Sequence, residues 1–373
     1  MSIVNMPVKK RAKRYLELDV LTAAKERIRY LRTKFDTLVV AFSGGKDSWA
    51  LLSLLEAVNA EDGITTPITV AFRDEEVINT TVVEFVKKVA ESGRYDFLWF
   101  AYPMNVGMNI MGKYMPFVSW DTNRKWHREP PPYAIRSLGV DTAAMDEFQV
   151  HNSESAYYNA VGNTCVLMGI RAAESLKRFM GLTSKEKDNW ISGDGMGSPA
   201  TASPLYDWEE QDIFKWFYDA NLDYCPVYNG QMWVNTTLRV SSSLHDRSLE
   251  QLVKLKEAEP EYWAQLISVL PELETQVRYS SEIDWWASIR SYPHTWEGLR
   301  QYIEENLDPD FKVMANAYVD QAVSLRSRLG RKPLGGVPMR GIFDDIVRGK
   351  YWGGVVTFKE PNHDDYVFEG IEV

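Results

Sequence analysis

The sequence predicts an α/β fold: an open, mostly parallel sheet with helices on both faces, followed by a mainly helical C-terminal region. Three observations carry this expectation. Short apolar runs at Thr37–Phe42, Ile68–Phe72 and Thr164–Ile170 read as buried strands. Segments with helical character alternate with them. From 245 to 330 the spacing is helical and offers no strand candidate.

In chain order, residues 1–17 form a basic tail containing Lys9, Lys10, Arg11, Lys13 and Arg14. It reads either as a solvated tail or as an arm that touches an anion or nucleic acid. Leu18, Leu21, Ile28 and Leu31 stand at helical spacing over 18–34. The strand Thr37–Phe42 runs into SGGKDS (43–48), and the Leu/Ala-rich Trp49–Val58 then predicts a helix. The strand Ile68–Phe72 follows Pro67, a helix is expected over 79–91, and FLWFAY (97–102) is a third strand. Regularity fades over 103–160, where Pro130, Pro131 and Pro132 break any helix; this reads as a long insertion. Thr164–Ile170 leads into RAAESLKR and a helix, 190–203 reads as a Gly/Ser-rich loop, and 208–220 as a helix. RKPLGG (331–336) reads as a turn, 343–348 as a short helix and 351–358 as a turn with a terminal strand.

Composition narrows the function classes. The chain has 373 residues, 45% hydrophobic and 25% charged, the balance of an ordinary globular protein. Lys and Arg number 42 against 52 Asp and Glu, so a formal charge of -10 argues against a basic nucleic-acid binder overall. The two cysteines, Cys165 and Cys225, are too few for a four-cysteine zinc or iron–sulfur site, so no iron–sulfur cluster is expected. They fit a reducing cytoplasm. No apolar run nears the roughly 20 residues of a membrane span, and the N-terminus lacks the apolar core of a secretory signal. The 13 Trp, 19 Tyr and 15 Phe are the feature that composition leaves unplaced.

The loop between the first strand and its helix is built for phosphate. Gly44 and Gly45 let the backbone approach a ligand, successive N–H groups form an anion-binding concavity, and the helix adds its positive end. Ser43 and Ser48 supply hydroxyls, Lys46 a point charge and Asp47 a carboxylate. The spacing is neither GxxxxGK[ST] nor GxGxxG. A second cluster, FRDEE (72–76), follows the second strand, where ligands meet an open sheet. Asp74 there reads as a Mg²⁺ or ribose ligand, or else the segment is a solvated acidic turn. A third is GIRAAESLKR (169–178), with Gly169 at a strand end, Arg171 able to face a phosphate, and Glu174 and Arg178 one turn apart. In SPLYDWEEQDIFKWF (203–217), Trp208 and Asp212 read as packing and capping rather than catalysis.

Strand–SGGKDS–helix resembles the pyrophosphate loop (PP-loop) of the N-type ATP pyrophosphatases, or adenine nucleotide alpha hydrolases, a Rossmann-like superfamily. With GIRAAESLKR and SPLYDWEEQDI in order behind it, the chain resembles the PAPS reductase family over roughly 20–245. YNG (228–230) resembles a further stretch of that family, and IVRGKYWGGVVTF (346–358) resembles the tail of a phage and prophage branch linked to immunoglobulin-binding regulators. The expected domains are therefore the tail 1–17, a PP-loop domain 18–245 and a helical region 246–373. The departures carry weight. Asp-Glu-Glu at 74–76 replaces a DTG-type turn, Ser241 stands where the family has a cysteine, and no cysteine follows Cys225.

The resemblance implies Mg-ATP as ligand and cleavage between its α- and β-phosphates to activate an acceptor. Lys46, Asp47 and Arg171 are the expected catalytic residues. The nucleotide would meet Ala41, Phe42, Ser43, Gly44, Gly45, Lys46, Asp47, Ser48, Asp74, Gly169, Arg171 and Arg178, with Mg²⁺ on Asp47 and Asp74. Two alternatives stand beside this: a sulfonucleotide reductase using an external thiol, and a nucleotide-sensing regulator with a ParB-like partner. The acceptor is unidentified, and nucleic acid is one class for it. Arg124, Lys125, His127 and Arg128 with Trp120 and Trp126 read either as a stacking and phosphate-contacting surface or as an insertion stapled by tryptophans. No membrane partner is expected, and the location is the cytoplasm, or that of a phage-infected host.

Overall fold

The computed structural model describes residues 16–351, apart from 107, 111–112, 116, 146, 159–161, 175, 184–189, 194–198, 234–239, 241–251, 280–286, 288–289, 330–338 and 350. Residues 1–15 of the basic tail, Ser241, the RKPLGG turn and the expected terminal strand after 351 lie outside the described residues.

The first elements are α1 (Val20–Arg32), β1 (Thr37–Ala41), α2 (Lys46–Glu61), β2 (Ile68–Arg73), α3 (Thr80–Ala90) and β3 (Tyr95–Phe100). Four very short strands follow: β4 (Met104–Asn105), β5 (Met108–Ile110), β6 (Lys113–Met115) and β7 (Val118–Ser119). Then come α4 (Glu147–Glu154), β8 (Thr164–Met168), α5 (Leu176–Thr183), β9 (Ile191–Ser192), β10 (Ala200–Ala202), α6 (Glu210–Asp219) and α7 (Val227–Trp233). The main sheet has six strands in the order β3-β2-β1-β8-β10-β9. β8 runs parallel to both β1 and β10, and β9 is antiparallel to β10.

The chain divides into two units. The first comprises 1–41, 46–68 and 159–223. Its β1 is buried at Val39 and Val40, its β8 from Thr164 to Leu167, and α2 is apolar nearly all round, as a covered helix must be. Asp19 caps α1 by accepting from the Thr22 amide at 2.9 Å. Glu209 and Asp212 form a capping box at the start of α6, where the Asp212 carboxylate accepts from the Glu209 amide at 2.7 Å. Trp208 is buried and donates to the Val20 carbonyl, so both residues serve packing and capping.

The second unit comprises 42–45, 69–158 and 224–373. The insertion is not structureless: β4 pairs with β7 and β5 with β6, both antiparallel. Ile110 and Phe117 join Leu255, Tyr262, Trp263 and Leu266 in one core, so insertion and downstream helices bury each other. A second core, containing Leu299, Ile303, Val319 and Phe343, gathers the helices Trp296–Asn306, Pro309–Leu329 and Met339–Val347. Several boundaries differ from the sequence reading, among them β3, which spans Tyr95–Phe100 rather than 97–102, and the last helix, which begins at Met339 rather than 343. α2 begins at Lys46, because the loop is tighter than its polarity suggests. A 3₁₀ turn, Ala172–Glu174, precedes α5. The expected loop over 190–203 contains β9 and β10, strands too short and too small in side chain to give a periodic signal.

Candidate functional site

Parallel register does the first positioning. Ala41 of β1 pairs with Met168 of β8, so both strands end level, one feeding the loop and α2, the other feeding Gly169 and Arg171. Gly169 is required by space. A Cβ there would lie 2.7 Å from the Asp47 carbonyl carbon and 2.7 Å from the Ser48 nitrogen, both backbone atoms that cannot yield. The GIR segment therefore lies directly on the start of α2.

Around that helix start the charges gather. Arg171, 4% exposed, directs its Nε to Asp47 Oδ1 at 2.5 Å. Its amide donates to Glu174 Oε1 at 3.1 Å, and Glu174 is in turn ion-paired with Arg178. Lys46 Nζ lies 3.4 Å from Asp47 Oδ2 and 3.3 Å from Glu210 Oε1. The side chains of Lys46 and Asp47 are 14% and 19% exposed, so they are shielded yet open to solvent. Arg171 and Lys46 thus meet at the positive end of a helix, where backbone amides favour an anion, with Asp47 and Glu210 as their present counter-charges. Glu210 is the participant the sequence did not offer; only its place in the first turn of α6 brings it to Lys46.

The preceding residues belong to the second unit. Phe42 is buried, its amide donating to the Ala71 carbonyl at 2.8 Å and its ring meeting Phe97 edge-on. Gly44 has φ +74°, and a Cβ there would meet Val86 at 2.6 Å and Val82 at 2.9 Å, so conformation and space both demand glycine. Gly45 faces the Tyr228 hydroxyl, 3.2 Å from where a Cβ would sit, which places the YNG tyrosine on the loop. Ser43 Oγ accepts weakly from the Gly45 amide at 3.4 Å, and Ser48 is buried in α2.

Asp74 stands in a different environment. It is wholly buried: Oδ1 accepts from Arg128 Nη2 at 2.5 Å and from the Glu76 amide at 3.0 Å, and Oδ2 accepts from Trp99 Nε1 at 2.9 Å. Glu76, also wholly buried, pairs with Arg124 and accepts from the Trp120 amide at 2.6 Å and the His127 amide at 2.8 Å. Arg73 binds Glu154 through two bonds of 2.9 and 2.7 Å, and Tyr102 donates to the same carboxylate at 2.5 Å. Burial opposes the charge on Arg73, but Glu154 outweighs it and raises the guanidinium pKa; burial first, then Glu154, raises that of Tyr102. Glu76 and Trp120 both take positive φ, 66° and 55°, a strain their mutual hydrogen bond holds in place. The FRDEE segment is thus the anchorage of the insertion rather than a solvated turn. Arg124 and Arg128 serve that anchorage, and Trp120 is buried, so the stapled reading of the insertion holds over a stacking surface for nucleic acid.

Both thiols are buried. Burial pushes Cys165 up to about 12 and Cys225 up to about 11, and the Cys225 Sγ faces the Thr81 carbonyl at 3.9 Å. Among the described residues no three His, Cys, Asp or Glu side chains are grouped to hold a metal, and no helix is long and apolar enough to cross a membrane.

The sequence pattern of the phosphoadenosine phosphosulfate reductase domain matches residues 37–233, more than half of the chain. The chain belongs to the phosphoadenosine phosphosulfate reductase domain family. The matched region runs from the first residue of β1 to the last of α7, and so takes in the loop, FRDEE, GIRAAESLKR and SPLYDWEEQDI. An uncharacterized Escherichia coli (strain K12) protein, YbdN, is 28% identical over 237 residues; the match covers 60% of this chain and only 58% of that relative. Candida glabrata FMN adenylyltransferase with FAD and inorganic pyrophosphate superposes at TM-score 0.39 and 14% identity, over 57% of this chain and 60% of its own. PAPS reductase from Candida auris, a phosphate complex, gives 0.32 and 13% over 57% and 85%. The U34-tRNA thiolase NcsA from Methanococcus maripaludis gives 0.32 and 11% over 70% and 81%.

Proposed function

We propose that this family member binds Mg-ATP on the Ser43–Ser48 loop and cleaves it between the α- and β-phosphates, transferring the adenylyl group to an acceptor. The observation that carries the reading is the seating of Gly169 on the Asp47–Ser48 backbone, which brings Arg171 beside Lys46 at the start of α2. In the reaction a nucleophilic atom of the acceptor bonds to the α-phosphorus. The bond from that phosphorus to the bridging oxygen breaks, pyrophosphate leaves with the electron pair, and the acceptor's proton passes to solvent. Charge builds on the leaving pyrophosphate and on the α-phosphate oxygens, and fixed donors aimed there lower the barrier. Loop amides, Ser43, Ser48 and Lys46 meet the pyrophosphate; Arg171 meets the α-phosphate, with Arg178 behind it. Adenine would lie at the strand end, by Ala41 and Phe42.

Mg²⁺ commonly binds through one or two carboxylates together with substrate phosphates. Asp47 fits that role, being partly open and next to the loop. Asp74 does not, since both its oxygens already hold donors within a buried pair. We therefore assign the metal, arriving with the nucleotide, to Asp47; its chemistry there is to neutralise phosphate charge.

The test is incubation with α-labelled ATP and Mg²⁺, alone and with nucleotide or nucleic-acid acceptors, scoring pyrophosphate and AMP or an adenylylated product. Turnover lost in Lys46→Ala supports the reading, and absence of ATP binding by the intact chain overturns it. Tight binding without turnover would favour the sensing regulator, for which a ParB-like partner is the candidate. Thiol-dependent sulfonucleotide reduction is disfavoured, because each thiol is buried and holds its proton near neutral pH. Sulfite release from PAPS that Cys225→Ser abolishes would reverse that judgement.

A further inference from the structure

The first turns of two helices in the first unit meet across one ammonium. α2 begins with Lys46 and Asp47, and α6 begins with Glu210. Groups other than these charges fix their approach. Trp216 of α6 donates its Nε1 to Ser53 Oγ of α2 at 2.9 Å. Trp208, just ahead of α6, is buried with its Nε1 on the Val20 carbonyl at 3.0 Å. The Ala172 amide donates to the Tyr206 carbonyl at 2.8 Å, which ties the segment before α6 to the residue after Arg171. The Glu209–Asp212 capping box then sets the first turn itself. Glu210 stands beside Lys46 because the backbone brings it there, and its Oε1 lies 3.3 Å from the ammonium.

The groups in this row are held unequally. Asp47 divides its carboxylate between Arg171, at 2.5 Å on Oδ1, and Lys46, at 3.4 Å on Oδ2. The side chains of Arg171 and Lys46 are 5% and 14% exposed, whereas that of Glu210 is 50% exposed. Among the described residues, Lys46 is the one cation paired with Glu210. Glu210 can therefore turn into solvent with the loss of that single pair. A pair so open to water contributes little to stability, so it is a poor staple. It does occupy the cation that a phosphate on the loop would use.

Charge decides what can take its place. Lys46 and Arg171 face Asp47 and Glu210, and Glu174 pairs with Arg178, so the helix start is balanced before a ligand arrives. A metal-free polyphosphate brings several negative charges close to both carboxylates, and like charges at short range repel more strongly where solvent is partly excluded. A polyphosphate complexed to a divalent cation brings fewer, and its cation offers the carboxylates a counter-charge.

We propose that Glu210 is a specificity-determining residue, a resident counter-ion of Lys46 that a metal-complexed nucleotide displaces readily and a metal-free one does not. This rests on the Ser43–Ser48 loop being the nucleotide site, and adds to it a residue that selects the charge state of the ligand.

The experiment titrates the full chain by calorimetry with ATP and with inorganic pyrophosphate, each in EDTA and in excess Mg²⁺. Glu210→Gln keeps the size and polarity of the side chain and removes its charge. It should bind the metal-free anions about fivefold more tightly than wild type does, the scale of one partly exposed ion pair. The Mg²⁺ complexes should change by less than about twofold, because the cation already answers the carboxylate. Glu210→Asp, which keeps the charge, should stay closer to wild type than Glu210→Gln in every arm. Weaker binding of all ligands by Glu210→Gln would make the glutamate an orienter of Lys46 and overturn the proposal. Unchanged affinities, or an equal gain for metal-free and metal-complexed forms, would overturn it too. Each of these results leaves ATP binding at the loop standing. Absence of binding by wild type in both media removes the nucleotide site itself, and this inference with it.

Discussion

Two strand exits carry dense charge in this chain, and they are opposites. After β1 and β8, the charged groups Lys46, Asp47 and Arg171 stand beside glycines whose missing side chains let neighbouring segments close in, and two of the three keep an edge in solvent. After β2, Asp74 and Glu76 are fully buried, and each is closed by an arginine from the insertion. Carboxylates paired with arginines stand at both exits. What separates a place that can receive a ligand from a place that holds the fold together is burial and the number of hydrogen-bonding positions already filled.

The comparison breaks most directly at Asp74. If its carboxylate is an anchor, Asp74→Ala leaves Arg128 buried without its counter-charge and costs about 3–5 kcal/mol of unfolding free energy, read by urea denaturation. If it were a solvent-facing ligand, the loss would stay within about 0.5 kcal/mol. Gly169→Ala tests the other exit. A Cβ forced to 2.7 Å from two backbone atoms should cost about 1–3 kcal/mol and, by displacing the start of α2, lower ATP affinity as well. A variant that lost stability but bound ATP unchanged would detach Gly169 from the site.

Lys46→Ala sharpens the contrast further. The lysine is paired with Asp47 and Glu210 at 3.4 and 3.3 Å, and such partly exposed pairs contribute little, about 0–1 kcal/mol. Stability should barely move while ATP affinity, measured by calorimetry, falls at least tenfold. The reverse pattern, a large stability loss with ATP binding intact, would make the first exit an anchor like the second.

The difference between the exits also marks how far the sequence could be read. SGGKDS and GIR are local patterns: the glycines, the strand before and the helix after lie within one short stretch, and both the fold class and the cluster at α2 follow from them. FRDEE was legible as charge but not as environment, because its partners arrive from far along the chain: Arg124, Arg128 and, for Arg73, Glu154. No periodicity announces a buried ion pair between an acid and an arginine some 50 residues apart. The same holds for the aromatic excess. Trp99 and Trp120 are buried donors to Asp74, and Trp208 and Trp216 donate to Val20 and Ser53, so the rings fill cores while their N–H groups satisfy polar atoms. β9 and β10 escaped because strands of two and three residues have no alternation to detect.

The smallest expected effect concerns the thiols, one in each unit. A thiol with a raised pKa in the fold keeps its proton where the unfolded chain has lost it. Between the ordinary thiol value of about 8.5 and the raised values of about 11 and 12, the native state binds more protons than the unfolded one. Stability is therefore intact below that window and falls as pH rises through it. At pH 8.5 an ordinary cysteine is about half thiolate, whereas Cys225, pushed up to about 11 by burial, stays almost wholly protonated. Iodoacetamide should label the native chain at least a hundredfold more slowly than the urea-unfolded chain, and Cys225→Ala should flatten the decline in stability between pH 9 and about 11. Fast labelling of Cys225 in the folded chain would place a reactive thiol in the second unit and restore the reductase reading.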